Sequence, residues 1–142
     1  MKDRIDKTVN FIFYSRFNYD KGILDLFNSI NIVNSKGYNK KCNFFFYGLF
    51  DNNPTSIKKN KLKELINQND NCYLKETDYN VSLKKIFQGK HIFVLPSLRE
   101  GMPKTALEAM NFNKALLLSN ITGHNFLINK KNVNGLYFKK ND

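Results

Sequence analysis

Apolar positions along this chain fall into two alternating patterns. Short, nearly continuous apolar runs occur at residues 9–14, 42–47, 72–74, 91–95, 115–118 and 136–138, each bounded by polar or glycine-containing turns. Runs of this length, rich in Phe, Tyr, Ile and Leu, predict buried strands. Between them apolar residues recur at helical spacing. Ile23, Leu24, Phe27, Ile30 and Ile32-Val33 predict a helix ending at Gly37. Ile57, Leu62, Leu65 and Ile66 predict a second. Val81, Leu83, Ile86 and Phe87 predict a short third, closed by Gly89. Residues 103–112 predict a fourth helix, with Leu107 and Met110 toward the core, and 123–128 a short fifth. Strands apolar on both faces, alternating with helices, mean a parallel sheet covered on both sides. Right-handed crossovers make it an α/β, doubly wound, Rossmann-like domain.

Ligands of such sheets sit beyond the carboxyl ends of the strands. That directs attention to the loops after Tyr14, Tyr47, Leu74, Leu95 and Leu118. In the first, Arg16 and Lys21-Gly22 precede a helix. Arginine offers phosphate a planar fork and lysine a movable charge, so the pair suits a diphosphate at a helix N-terminus. Taken alone, two solvated surface cations are the plainer reading. Gly48 ends the second strand, either as a tight turn or to let a ligand approach the backbone. The fourth loop is the richest: Leu95-Pro96-Ser97-Leu98-Arg99-Glu100-Gly101-Met102-Pro103-Lys104-Thr105-Ala106-Leu107-Glu108-Ala109-Met110. Gly101 permits a sharp turn, Pro103 suits the first helical position, and the amides near Lys104 and Thr105 start the helix unpaired. Glu108 within the helix can accept two hydrogen bonds from vicinal hydroxyls. A surface glutamate and a helix-capping glutamate are the plainer reading of Glu100 and Glu108.

At 142 residues the chain is expected to be one domain, and 42% hydrophobic content excludes a disordered one. No apolar run approaches the roughly 20 residues of a membrane span. The polar opening Met1-Lys2-Asp3-Arg4-Ile5-Asp6 lacks signal-peptide character, so a cytoplasmic location is expected. Cys42 and Cys72 stand at strand starts without metal or redox spacing and are expected as buried free thiols. His91 and His124 have no ligand-spaced neighbours, and no Asp-x-Asp pair occurs, so no metal site is expected. A net charge of +11 favours anionic partners. The paired lysines Lys58-Lys59, Lys84-Lys85, Lys130-Lys131 and Lys139-Lys140 are scattered, however, and read equally as solvated faces. No basic-aromatic recognition motif supports nucleic acid as the partner.

Taken together, these elements resemble the C-terminal, donor-binding domain of retaining GT-B glycosyltransferases (glycosyltransferase family 4, "glycosyl transferases group 1"). The resemblance rests on Pro96-Ser97, Glu100-Gly101, Pro103 and Leu107-Glu108-Ala109-Met110, with seven residues between the two glutamates. It is carried further by Arg16 with Lys21-Gly22, by Gly48, by Thr122-Gly123 and by Asn134-Gly135-Leu136. It runs from about Val9 to the end of the chain.

The resemblance implies a nucleotide-sugar donor, a UDP-sugar, and transfer with retention to a polysaccharide or lipid-linked acceptor. It implies roles for Arg16 and Lys21 on the diphosphate, Glu108 on the ribose, and Glu100 as the catalytic-site carboxylate on the sugar. Gly48, Gly101, Met102, Pro103, Lys104 and Thr105 would line the donor. No separate cofactor is implied. Such chemistry works by positioning and charge stabilisation. Three departures stand out: Lys75-Glu76 where a Gly is common, Asn113 and Ala115 near the usual Gly and Pro, and Phe126 where many members carry Glu. The resemblance also implies an N-terminal acceptor domain and last C-terminal helices, neither recognisable in residues 1–142. A separate acceptor-domain chain and peripheral attachment to the cytoplasmic membrane are the corresponding expectations. So is little turnover by these residues alone. The competing expectation is a non-catalytic remnant that binds a nucleotide-sugar or a partner chain.

Overall fold

The computed structural model describes residues 8–78, 80–129 and 134–139. The polar opening segment, the Lys130-Lys131 pair and Lys140 lie outside the described residues. Six strands, β1 (Val9–Tyr14), β2 (Cys42–Gly48), β3 (Cys72–Glu76), β4 (Ile92–Leu95), β5 (Ala115–Ser119) and β6 (Gly135–Phe138), form one sheet in the order β3-β2-β1-β4-β5-β6. Every pairing is parallel. The helices are α1 (Ile23–Ser35), α2 (Lys59–Asn67), α3 (Leu83–Ile86) and α4 (Lys104–Asn111). The strand order reverses between β1 and β4, so the loops leaving those two strands flank the crevice where such sheets take ligands.

Aromatic side chains bind the layers together. On one face Phe13 and Phe46 lie beneath α1, and Phe27 of that helix stacks on Phe46 at 4.8 Å. On the other, Phe87 after α3 meets Tyr14, Phe93 and Phe112 at 5.4–6.2 Å. Each buried ring of this size contributes about 1.5–3 kcal/mol. That burial compensates for Asn-rich helix surfaces, since Asn is a weak helix former.

Several local expectations change. In α4 the buried pair is Ala106 and Ala109, while Leu107 is 37% exposed. Two alanines bring the helix close to the sheet; Met110 packs partly buried against the core, as expected, and Leu107 points outward. Pro103 precedes α4 instead of opening it. The expected helix at 123–128 is a 3-10 turn, Thr122–His124, followed by irregular turns, and α3 is a single turn. Asn113 takes a left-handed conformation (φ 55°), which closes the end of α4 where glycine is more usual. Of the two thiols, Cys72 is buried and Cys42 half-buried. Beyond α1, the sheet face over β4–β6 is open as an apolar groove of about 440 Å³.

Gly22 joins the first and fourth loops. Its φ is +71°, and a Cβ there would stand 1.9 Å from the Pro96 carbonyl oxygen. Gly22→Ala is therefore expected to cost about 1–3 kcal/mol from backbone conformation alone, with the steric clash added. Urea unfolding measures it, and an unchanged midpoint would contradict the packing described. Burial pushes the Cys72 thiol up to about 12. A thiol reagent at pH 8 should accordingly label Cys42 first, and Cys72 only on unfolding; the reverse order would contradict the burial.

Candidate donor-binding site

The site is assembled by three loops at the carboxyl ends of β1, β4 and β5. After β1 the chain runs through a 3-10 turn, Tyr19–Lys21, and Gly22 redirects it into α1. The Leu98 amide donates to the Asp20 carbonyl at 2.9 Å, which ties the β4 loop to this turn. The tie brings two side chains far apart in sequence into contact. Lys21 Nζ lies 2.8 Å from Glu100 Oε1, with side-chain exposures of 12% and 8%. Ser97 Oγ donates to the same carboxylate oxygen at 2.6 Å. The loop after β5 closes the arrangement from below: a Cβ on Gly123 would stand 2.2 Å from the Glu100 carbonyl oxygen. A cleft of about 360 Å³ is lined by Asp20, Lys21, Arg99, Glu100 and Gly101.

Anion-binding capacity in this region comes from backbone as well as side chains. Lys104 N–H donates to the Met102 carbonyl at 2.9 Å. The amides of Gly101, Met102 and Thr105 have no hydrogen-bond partner among the described residues. They stand at the start of α4, where the helix dipole favours negative charge. Gly101 has open space around it, Met102 is 62% exposed, and Pro103 is buried beneath the turn.

Glu108 lies one turn into α4, partly buried. Desolvation raises its pKa above the usual carboxylate range, and the Lys104 ammonium partly opposes that rise. Glu108 in turn reinforces the effect of burial in raising the Tyr14 hydroxyl at the end of β1. The carboxylate thus faces the β1 end of the crevice. Arg16 is half exposed and its guanidinium lies 3.4 Å from Asp51. Asp51 is held below the usual carboxylate range chiefly by the Ser56 hydroxyl, then by the Asn53 amide and Arg16. Gly48 is closed off by protein: a Cβ there would lie 2.0 Å from the Ser15 carbonyl oxygen. Its tight approach serves the β1–β2 junction.

Lys21 and Glu100 are therefore in direct contact, the Gly101, Met102 and Thr105 amides follow on, and Glu108 stands apart beside Tyr14. Three buried polar residues that sequence reasoning missed underlie the site: Ser97, Ser119 and His124. Ser119 Oγ donates to the Ser97 carbonyl at 2.6 Å. His124 Nδ1 lies 2.9 Å from the Ser119 carbonyl oxygen. A carbonyl can only accept, so Nδ1 carries the proton. Burial lowers the His124 pKa, which keeps the ring neutral, and its Nε2 is buried without a partner among the described residues. A signal was available in sequence: Ser97 and Ser119 each end a fully apolar strand run at its ligand-binding end. Among the described residues no three His, Cys, Asp or Glu side chains form a metal-binding group, and no helix is long and apolar enough to cross a membrane.

Comparison with known proteins agrees with this architecture. An Escherichia coli UDP-Gal:alpha-D-GlcNAc-diphosphoundecaprenol alpha-1,3-galactosyltransferase is 35% identical over 85 residues, 52% of this chain and 22% of that protein. A Campylobacter jejuni N,N'-diacetylbacillosaminyl-diphospho-undecaprenol alpha-1,3-N-acetylgalactosaminyltransferase is 29% identical over 119 residues, 84% of this chain and 28% of that protein. The chain thus spans less than a third of the length of these relatives. The crystal structure of TarM superposes with a TM-score of 0.74 at 23% identity, over 96% of this chain and 26% of that one, a likeness of fold. The profile of the family described as "Glycosyl transferases group 1" matches residues 2–142, and the chain belongs to that family.

Proposed function

We propose that this chain binds a nucleotide-sugar donor, a UDP-sugar, in the crevice between the β1 and β4 loops. Within a complete glycosyltransferase it would present that donor for transfer with retention to a lipid-linked or polysaccharide acceptor. The observation that carries the reading is the Lys21–Glu100 contact, with unpaired amides beside it, at the point where strand order reverses. A cation and helix-start amides suit a diphosphate. A carboxylate suits sugar hydroxyls, and Glu108, deeper along α4, suits a ribose diol. The UDP-Gal and diphosphoundecaprenol named for the relatives support a UDP-sugar and a lipid-linked acceptor.

In this reading Lys21 neutralises the diphosphate that leaves with the nucleotide, and Arg16 assists after parting from Asp51. Gly48 acts only indirectly, letting the β1 loop that carries Arg16 pack on the end of β2, with Lys104 and Thr105 near the phosphates. Glu100, Gly101, Met102 and Pro103 shape the sugar end, and Glu100 orients the anomeric centre. The chain supplies positioning and charge stabilisation, with no protein nucleophile required. No metal or other cofactor is invoked, and an acceptor-binding partner domain supplies the opposite wall. A location on the cytoplasmic face of the membrane, peripherally attached, fits the lipid-linked substrates of the relatives.

A second reading has a specific observation in its favour. Phe126, where many family members carry Glu, is 62% exposed in the β5 loop that packs on Glu100. A binding module that has lost catalysis would tolerate that change. Addition of an acceptor domain separates the two readings: restored turnover favours the enzyme, nucleotide binding without turnover the module.

Calorimetric titration with UDP, GDP and ADP tests the donor class, and UDP is expected to bind tightest. Glu108→Gln should weaken nucleotide binding by about 1–3 kcal/mol, the scale of hydrogen bonds to a charged group; unchanged affinity would refute the ribose assignment. The same substitution should raise the melting temperature at pH 7. A carboxylate whose folded pKa is raised contributes stability at low pH and loses it as pH rises through that pKa. The difference between variant and wild type should therefore vanish below the ordinary carboxylate range. A difference that persists there would assign it to packing.

The 142 residues alone should bind donor with little turnover. Incubation with UDP-sugars and a lipid-linked acceptor checks this, and robust turnover would contradict it.

A further inference from the structure

Beneath Glu100 runs a directional chain of buried hydrogen bonds. His124 Nδ1–H donates to the Ser119 carbonyl at 2.9 Å. Ser119 Oγ–H donates to the Ser97 carbonyl at 2.6 Å, and Ser97 Oγ–H to Glu100 Oε1 at 2.6 Å. Each direction is forced, because carbonyl and carboxylate oxygens only accept. The three residues are 0–3% exposed and sit among the ends of β4 and β5 in an otherwise apolar interior. Buried polar groups are costly unless paired, and paired chains hold a single geometry. From the far side Tyr137 Oη of β6 donates to the His124 carbonyl at 2.6 Å, which anchors the end of the chain.

The consequence falls on one oxygen of Glu100. Oε1 receives both Ser97 Oγ–H and Lys21 Nζ. Oε2 has no protein partner among the described residues. Two donors converging on one oxygen fix the plane of the carboxylate and leave the other oxygen unspent. Lys21 alone could not do this, since an ammonium on a flexible stem is a point charge with rotatable donors. A phosphate that drew Lys21 away would leave Ser97 as the remaining restraint.

We propose that Ser97, set in place by Ser119, is a positioning residue that aims Glu100 Oε2 at the group carried on the far phosphate of the donor. This deepens the nucleotide-sugar reading and rests on it. Ser97 acts through Glu100 and has no need to touch the ligand. Its effect therefore falls on recognition of the sugar and spares recognition of the nucleoside diphosphate. A hydroxyl that merely filled a buried site would weaken both ligands alike.

The experiment is calorimetric titration of wild type, Ser97→Ala, Ser119→Ala, Glu100→Gln and the Ser97→Ala/Glu100→Gln double variant. The probes are UDP and three UDP-hexoses: UDP-galactose, UDP-glucose and UDP-N-acetylglucosamine. The quantity read is the ratio of UDP-hexose to UDP affinity. Ser97→Ala should leave UDP affinity within about twofold of wild type and lower the ratio about tenfold, the scale of losing a charged hydrogen bond. Ser119→Ala should lower it in the same direction by less, and it carries the test if Ser97→Ala fails to fold. The double variant should lose no more than Glu100→Gln alone, because the two act as one unit. A ratio unchanged in both serine variants, whether or not UDP affinity falls, overturns the positioning role and leaves the nucleotide reading standing. Failure of wild type to bind UDP, GDP or ADP overturns the nucleotide reading and the positioning role with it.

Discussion

The contact between Lys21 and Glu100 is the constraint around which the carboxyl end of this sheet is built. It joins loops leaving β1 and β4, the two strands between which sheet order reverses. The Leu98–Asp20 backbone bond and the approach of Gly22 to Pro96 hold the same two loops together. A largely buried ammonium and carboxylate each carry a desolvation cost, which their attraction at 2.8 Å opposes. Removing one partner would leave the other charge stranded, so the pair ties local stability to the integrity of the site.

The same pairing explains why a strongly basic chain has a balanced site. Lys21 stands with Glu100, Arg16 with Asp51, and Lys104 near Glu108. The excess of positive charge is spread over outer surfaces. There, exposed pairs such as Lys59–Glu76 and Lys61–Glu64 contribute little. Any anion-binding potential here lies in local geometry, in amides at the start of α4 that are unpaired among the described residues. Net charge favours anionic ligands in solution but does not choose where they sit.

Much of the fold was legible in sequence because buried parallel strands are continuous apolar runs, and residues 9–14, 92–95 and 115–118 have little else to become. The helix at 104–111 was legible too, but its inward face only in part. Met110 packs against the core as expected, whereas Ala106 and Ala109 form the buried pair and Leu107 is exposed, since close approach selects small residues and hydrophobicity alone does not report it. Residues 123–128 predict a helix, but the chain forms a 3-10 turn at Thr122–His124, where Gly123 is constrained by contact with Glu100, a tertiary fact. The candidate side chains were legible one at a time. Their pairing was not, because Lys21 and Glu100 lie 79 positions apart. Ser97 and Ser119 were marked in the sequence only by their place at the ends of apolar runs; their links to Glu100 and His124 were not legible, for the same reason.

The proposed function rests on entry of a nucleotide-sugar into the crevice between the β1 and β4 loops. Amide chemical-shift mapping of the isotope-labelled chain during addition of a UDP-hexose tests it most directly. The largest shifts are predicted at Gly101, Met102 and Thr105, whose amides are unpaired among the described residues, with Lys21 and Gly22 following. Shifts confined to the β3 edge or to the outer face of α2, with these five amides unmoved, would contradict it.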